Sequence, residues 1–134
     1  MFVYGTLMEG YRNYKKYLEG HVISARVAYV YVKMYHLDNE DCPAIVEGDC
    51  KVYGQVLEVE DDKYNTIQKA VDDLEHYFAG CDEMMYDRVM KSVYYEDGSS
   101  EDLGVYVFIN KNYLDNSPIT YVDSGDWRVY LGDR

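Results

Sequence analysis

Only one stretch of this sequence has a clear helical pattern, whereas apolar residues elsewhere alternate as they do in strands. The stretch can begin at Asp61 or Asp62, which are suited to cap a helix, and Gly80 can end it. Its apolar residues recur at spacings of four, three and four, which places them on one face: Ile67, Val71, Leu74 and Phe78. Many strands with one principal helix predict an α+β fold, a small, mixed and largely antiparallel β-barrel with that helix packed against it.

The strand patterns divide the rest of the chain. From His21 to Val32 the odd positions form one apolar face, and Lys51 to Val59 is again strand-like. Gly54 inside the second segment predicts a bulge or a close approach by another backbone or a ligand. Separate short or paired strands are predicted at Ala44-Ile45-Val46 and, around an Asp97-Gly98 turn, at Tyr86 to Tyr95 and Leu103 to Ile109. An irregular tail is expected from Pro118 onward.

Length and charge limit the classes of protein to which the chain can belong. Its 134 residues fit a single domain, 1–134. Lys and Arg number 13 against 25 Asp and Glu, and the net charge of −12 disfavours nucleic acid and anionic membrane surfaces as partners. No apolar run is long enough for a membrane helix, and no signal segment opens the sequence, so a soluble cytoplasmic protein is expected.

The cysteines do not predict a metal site or a disulfide framework. Cys42, Cys50 and Cys81 are odd in number and lack the paired spacing of zinc ligands. We interpret them as reduced thiols, and no cofactor is expected.

The N-terminal segment Val3-Tyr4-Gly5-Thr6-Leu7 is typical of a short buried strand that breaks into a tight turn. Glycine lets successive backbone N–H groups converge, and such a turn can bind a carboxylate without a basic side chain. The simpler alternative is that Gly5 only relieves crowding where the strand ends.

Glu75 is the carboxylate that the helical pattern singles out. It lies on the flank of the apolar face, whereas Asp72 and Asp73 point away from it. Partial burial would raise the pKa of such a carboxyl and make it a competent general base near neutral pH. The alternative is a solvated glutamate at a helix edge. No histidine lies in a recognisable nucleophile triad.

Several of these segments, taken in order, resemble the γ-glutamyl cyclotransferase family. They are Val3 to Leu7, Asn13 and Leu18, Pro43 to Val46 with Gly48, Val52 to Val56, Val71 to Glu75, Tyr86-Asp87-Arg88 and Ser124 to Trp127. The resemblance implies a six-stranded barrel with helices and no cofactor. It also implies conversion of a γ-glutamyl compound into 5-oxoproline with release of an amine or amino acid.

The same resemblance assigns roles to residues. The turn Tyr4-Gly5-Thr6-Leu7 would hold the γ-glutamyl group through backbone N–H groups, and Glu75 would be the catalytic acid and base. Tyr86 would line the pocket, and Tyr121, after Ser117-Pro118, is a looser match to a pocket tyrosine. Departures at Val71 and at His76-Tyr77, with a longer loop after them, affect the expected substrate choice more than the chemistry.

Two other interpretations stay open at this point. A cyclotransferase of this family could act on a γ-glutamyl group attached to a biosynthetic intermediate, including one linked to a carrier protein. A barrel of this fold could also bind a small amino-acid-like ligand or a protein partner without catalysis.

Overall fold

The protein is described by a computed structural model over residues 1–5, 7–11, 14–60 and 86–133. Its strands are β1 (Phe2–Val3), β2 (Val22–Leu37), β3 (Cys42–Val59), β4 (Tyr86–Tyr95), β5 (Ser100–Phe108) and β6 (Ile119–Tyr121). Its helices are a short π-helix (Tyr14–Leu18), α1 (Lys111–Asn116) and α2 (Trp127–Asp133). The predicted principal helix, with Glu75, lies outside the described residues, as does Thr6.

The six strands form one antiparallel sheet, which confirms the predicted α+β class. The order is β1-β3-β2-β4-β5, and β6 pairs with β2. The sheet is not closed, since β1 and β5 are its edges. Tyr4, directly after β1, nevertheless donates a hydrogen bond from its hydroxyl to the Tyr106 carbonyl of β5 at 2.6 Å. The sheet therefore curves until its edges approach, but no backbone ladder joins them.

The β2–β3 pair is the longest in the sheet and contains a bulge. Val32 pairs with Cys50 while Lys33 pairs with Val46, so residues 47–49 are extra residues on β3. The two strands predicted at 44–46 and 51–59 are thus parts of one strand. The prediction of two strands was wrong because the pairing with β2 continues on both sides of the bulge.

The core lies on the opposite face of β2 from the apolar face that its odd-numbered positions form. Ala28, Val30, Val32 and Met34 are buried, whereas Ile23 is 62% exposed. Both faces of β2 are apolar, so alternation alone could not identify the inner one. The outer face is covered in part by contacts among tyrosine rings: Tyr29, Tyr31, Tyr53 and Tyr94.

The close approach predicted at Gly54 is confirmed, because a Cβ there would overlap the Val3 carbonyl oxygen of β1. The predicted hairpin is also confirmed as β4 and β5, with Gly98 at a φ of 90° in the turn. No helix in the described ranges is long and apolar enough to cross a membrane.

The tail expected to be irregular is instead ordered against the sheet. Strand β6 pairs with the end of β2, and the Tyr53 N–H donates a 2.7 Å hydrogen bond to the Gly125 carbonyl. Gly125 has a φ of 70°, and a Cβ there would overlap the Lys51 carbonyl oxygen. Glycine is therefore required where the tail crosses β3. The α2 residue Trp127 then enters the core, with 2% of its surface exposed.

Candidate active site

The turn that follows β1 begins inside the protein. Pairing of Phe2 with Val56 and of Val3 with Gln55 holds β1 on β3 and brings Gly5 into the interior. The Met8 N–H donates to the Gly5 carbonyl at 3.0 Å, which closes a tight turn over residues 5–8. The predicted strand and turn are therefore present at the N-terminus.

Gly5 packs directly against Pro43 of β3. A Cβ on Gly5 would lie 2.6 Å from Pro43 Cγ and 2.8 Å from Pro43 Cδ, closer than such atoms can approach. Gly5 is not among the glycines with positive φ, so contact rather than backbone conformation requires glycine here. The steric interpretation of Gly5 thus has a physical basis, and it leaves the N–H groups of the turn available for another role.

The backbone donors of this turn are only partly used. Met8 N–H bonds to Gly5, and Glu9 N–H donates to Gln55 Oε1 at 2.9 Å. Within the described ranges, the N–H groups of Gly5 and Leu7 have no hydrogen-bond acceptor, although both residues are buried. Buried N–H groups ordinarily have a partner, so such a pair is suited to bind an anionic group.

Tyr86, the first residue of β4, also contacts Pro43. Its hydroxyl donates a 2.9 Å hydrogen bond to the Pro43 carbonyl and lies 3.8 Å from Cys42 Sγ. Its ring is 2% exposed and meets Phe108 edge to face, with 5.1 Å between centroids. Pro43 therefore links two predicted site residues, Gly5 through its ring and Tyr86 through its carbonyl.

The hydroxyl protons of both buried site tyrosines are already used. Tyr86 donates to Pro43, and Tyr4 donates to the Tyr106 carbonyl. The same protons are therefore not available to an oxyanion.

Tyr121 lies apart from this group. It is 43% exposed, pairs with Tyr35 in the sheet, and its hydroxyl is 3.5 Å from Cys50 Sγ. The hydrogen bond with the Cys50 thiol is the main cause that raises the pKa of Tyr121. Its ring contact is with Tyr35, at 5.5 Å between centroids. Among the described residues, these contacts do not connect it to Gly5 or Tyr86.

A buried histidine of β2 anchors the C-terminal helix. His36 is 1% exposed, and its Nδ1 accepts a 3.1 Å hydrogen bond from Trp127 Nε1. Its Nε2 lies 3.4 Å from Asp41 Oδ1. Both ring nitrogens therefore have partners, and the histidine attaches α2 to β2. No sequence signal pairs residues that are so far apart in the chain.

Pro43 is the site residue whose function sequence reasoning missed. In the sequence Pro43 is noted only within the segment Pro43 to Val46 that resembles the family. In the structure its ring contacts Gly5 and its carbonyl accepts a hydrogen bond from Tyr86. Where the chain is described, no three His, Cys, Asp or Glu side chains are grouped as metal ligands are.

The fold has clear relatives among solved structures. YkqA from Bacillus subtilis has a TM-score of 0.66 at 22% identity, over 98% of this chain and 40% of that one. An uncharacterized protein from Pyrococcus horikoshii has a TM-score of 0.64 at 21% identity, over 99% and 93% of the two chains. An AIG2-like protein from Mus musculus has a TM-score of 0.62 at 23% identity, over 92% and 84%.

These identities show a shared fold, and the chain spans less than half the length of YkqA. No curated protein matches the sequence. The family model described as gamma-glutamyl cyclotransferase, AIG2-like, matches residues 1–129, which include the turn after β1, Pro43, Tyr86 and Trp127. The chain therefore belongs to the AIG2-like γ-glutamyl cyclotransferase family.

Proposed function

We propose that this protein converts a γ-glutamyl-amine or γ-glutamyl-peptide into 5-oxoproline and a free amine or amino acid. The observation that carries this proposal is the turn after β1, where the N–H groups of Gly5 and Leu7 have no acceptor among the described residues. Such a turn is suited to hold the glutamyl end of a substrate. Family membership supports a reaction of the cyclotransferase type.

The proposed reaction is intramolecular. The substrate's α-amine attacks its own γ-carbonyl carbon, a five-membered ring closes through the new C–N bond, and the bond from that carbon to the leaving nitrogen breaks. The protein has to fold one substrate into this geometry rather than to bring two reactants together. Glu75 accepts in turn the two protons that the α-ammonium nitrogen loses as it becomes the lactam N–H, and it returns them to the leaving nitrogen, which departs as an ammonium group.

The turn has two tasks in this proposal. Its N–H groups, from Tyr4 through Thr6 to Leu7, hold the α-carboxylate or the carbonyl oxygen on which negative charge develops. The hydroxyl protons of Tyr4 and Tyr86 are donated to backbone carbonyls, so the turn is the better source of donors for that oxygen. Tyr86 lines the pocket in this proposal, as the family match implies.

Tyr121 is proposed for the substrate site on the family match alone. Its exposure, 43%, suits the rim of a pocket rather than its interior.

A cytoplasmic location is likewise proposed, because the free thiols of Cys42 and Cys50 persist in a reducing compartment.

The decisive experiment is a direct assay of 5-oxoproline. The purified protein is incubated with γ-glutamyl-amines and with γ-glutamyl-dipeptides, and 5-oxoproline release is measured. We expect turnover with at least one of these classes and a loss of roughly two or more orders of magnitude in Glu75→Gln, as for removal of a general base.

Asp73→Asn is the matched control, because it removes a nearby carboxylate that the helical pattern directs away from the core. Turnover of Glu75→Gln within a few-fold of wild type would refute the role of Glu75. No 5-oxoproline from either class, with unchanged binding of γ-glutamyl compounds, would favour a binding protein. Activity only on a γ-glutamyl-protected biosynthetic intermediate would keep the chemistry and change the substrate.

A further inference from the structure

A cavity of about 400 Å³ shares no lining residue with the turn, Pro43 or Tyr86. It opens between β3, β5 and the start of β2. Leu57, Val59 and Leu103 give it an apolar floor, and the first two are almost completely buried. Its volume falls in the range of roughly 300 to 1,000 Å³ that is usual for small-molecule sites.

One wall of this cavity is positively charged. The Arg26 guanidinium lies 3.9 Å from the centre of the Tyr95 ring, and its Nη2 is 3.4 Å from Asp97 Oδ2. Asp97 does not line the cavity. A guanidinium has more N–H donors than this one contact uses, so Arg26 retains donors for a carboxylate.

The remaining walls carry two carboxylates and the Met1 ammonium group. That ammonium group donates to the Leu57 carbonyl at 3.0 Å; burial lowers its pKa, and the nearby charge of Glu101 raises the pKa by less. One Glu58 oxygen accepts from the Ser24 hydroxyl at 3.2 Å, and one Glu101 oxygen accepts from the Tyr95 hydroxyl at 3.0 Å. Each carboxylate thus keeps a second oxygen. In the described part of the chain, neither one forms an ion pair with a Lys, Arg or His side chain.

Tyr95 sets the spacing of these charges. Its ring lies under the Arg26 guanidinium and its hydroxyl bonds to Glu101, so the positive and negative groups stand at different ends of one side chain. A ligand of a single charge sign would find a like-charged wall in this cavity, whereas a ligand that carries both signs can match each wall.

We propose that this cavity binds a small zwitterionic α-amino acid with an aliphatic side chain. The ligand carboxylate accepts from Arg26, its ammonium group donates to the free oxygens of Glu58 and Glu101, and its side chain packs on the floor formed by Leu57 and Leu103. The site is separate from the one proposed for γ-glutamyl substrates and does not depend on that assignment.

The test is a titration followed by amide chemical shifts of the isotope-labelled protein. Leucine is the probe; 3-methylbutylamine lacks its carboxylate, and 4-methylpentanoate lacks its ammonium group. We expect leucine to change the amide chemical shifts of Leu57, Val59 and Leu103. Each truncated probe should bind at least about tenfold more weakly than leucine, because it lacks one charge-assisted hydrogen bond. Saturating 5-oxoproline, which would occupy the proposed catalytic site, should leave these shifts in place.

Matched variants assign each wall. Arg26→Gln should weaken the binding of leucine about tenfold or more and leave the binding of 3-methylbutylamine unchanged. Glu101→Gln should weaken the binding of leucine and leave the binding of 4-methylpentanoate unchanged. Lys91→Gln, which removes a cation paired with Glu47 outside this cavity, should have no effect. Equal binding of all three probes, shifts confined to residues near Gly5, or wild-type affinity in Arg26→Gln would each overturn the proposal.

Discussion

The Tyr4 hydroxyl and the Tyr106 carbonyl, 2.6 Å apart, join the two edges of the sheet that no backbone ladder connects. Strand β1 is only two residues long, so its pairing with β3 alone is a small attachment. Because Tyr4 directly precedes Gly5, the same hydrogen bond holds the start of the turn against β5. It therefore contributes to both the fold and the geometry of the candidate site.

Replacement of Tyr4 by Phe should destabilise the protein. The variant keeps the buried ring but takes the hydroxyl donor away from the Tyr106 carbonyl, and we expect the free energy of unfolding to fall by about 1 to 3 kcal/mol. Urea unfolding measures this change. Tyr31→Phe is the control, because Tyr31 is 44% exposed on the outer face, and it should be close to neutral. Equal midpoints for Tyr4→Phe and wild type would show that the edges are held by other contacts.

The contact between Gly5 and Pro43 predicts a specific non-additive effect. Gly5→Ala should lower the free energy of unfolding by about 1 to 3 kcal/mol, because the new Cβ would collide with the Pro43 ring. Pro43→Ala removes the two ring carbons that cause the collision. In that background, Gly5→Ala should cost less by about 1 kcal/mol or more.

Denaturant unfolding of the four proteins of this cycle gives the coupling energy. Pro43→Ala also changes the free energy of unfolding by itself, and the cycle separates that change from the coupling energy. Strictly additive effects would contradict the idea that glycine is needed at position 5 because of Pro43. The same four proteins, assayed for substrate binding, show whether relief of the collision also restores the turn.

The hydrogen bond between Trp127 and His36 indicates that attachment of the C-terminal helix contributes to the stability of the protein. Trp127→Phe removes the Nε1 donor from a histidine that is 1% exposed and leaves a gap in the core, so we expect a loss of about 2 kcal/mol or more. Val129→Ala in the same helix is the control, since Val129 is 46% exposed. Thermal and urea unfolding should separate the two variants clearly; similar stabilities would mean that α2 contributes little to the core.

Local patterns predicted the parts of this fold that depend on neighbours in sequence. The hairpin around Gly98, the long strand that begins near residue 22 and the turn at Gly5 all follow from side-chain alternation and glycine chemistry. The close approach at Gly54 could be predicted for the same reason, because a glycine inside a strand usually marks one.

Features that depend on distant partners could not be read in this way. The inner face of β2 could not be identified because its outer face is also apolar, with Tyr29 and Tyr31 in contact with Tyr94 of β4. The bulge in β3 arises from its register with β2. In the candidate site, Gly5 and Tyr86 are brought together by Pro43, and no periodicity relates residues so far apart.

The last prediction is that the α-carboxylate of the substrate is essential for turnover, whereas the site has little selectivity for the leaving amine. The turn provides N–H groups at Gly5 and Leu7 with no acceptor in the described part of the chain, and these suit a carboxylate. The net charge of −12 repels anions at long range, so binding of the carboxylate has to depend on such short contacts. A 4-aminobutyryl-amine lacks only this carboxylate and can still close the same ring to 2-pyrrolidinone. We expect no detectable turnover of it, whereas exchange of a neutral leaving amine for a lysine-like one should change the rate far less. Comparable rates of 2-pyrrolidinone and 5-oxoproline formation, measured side by side by chromatography, would sink the assignment of the turn as the carboxylate site.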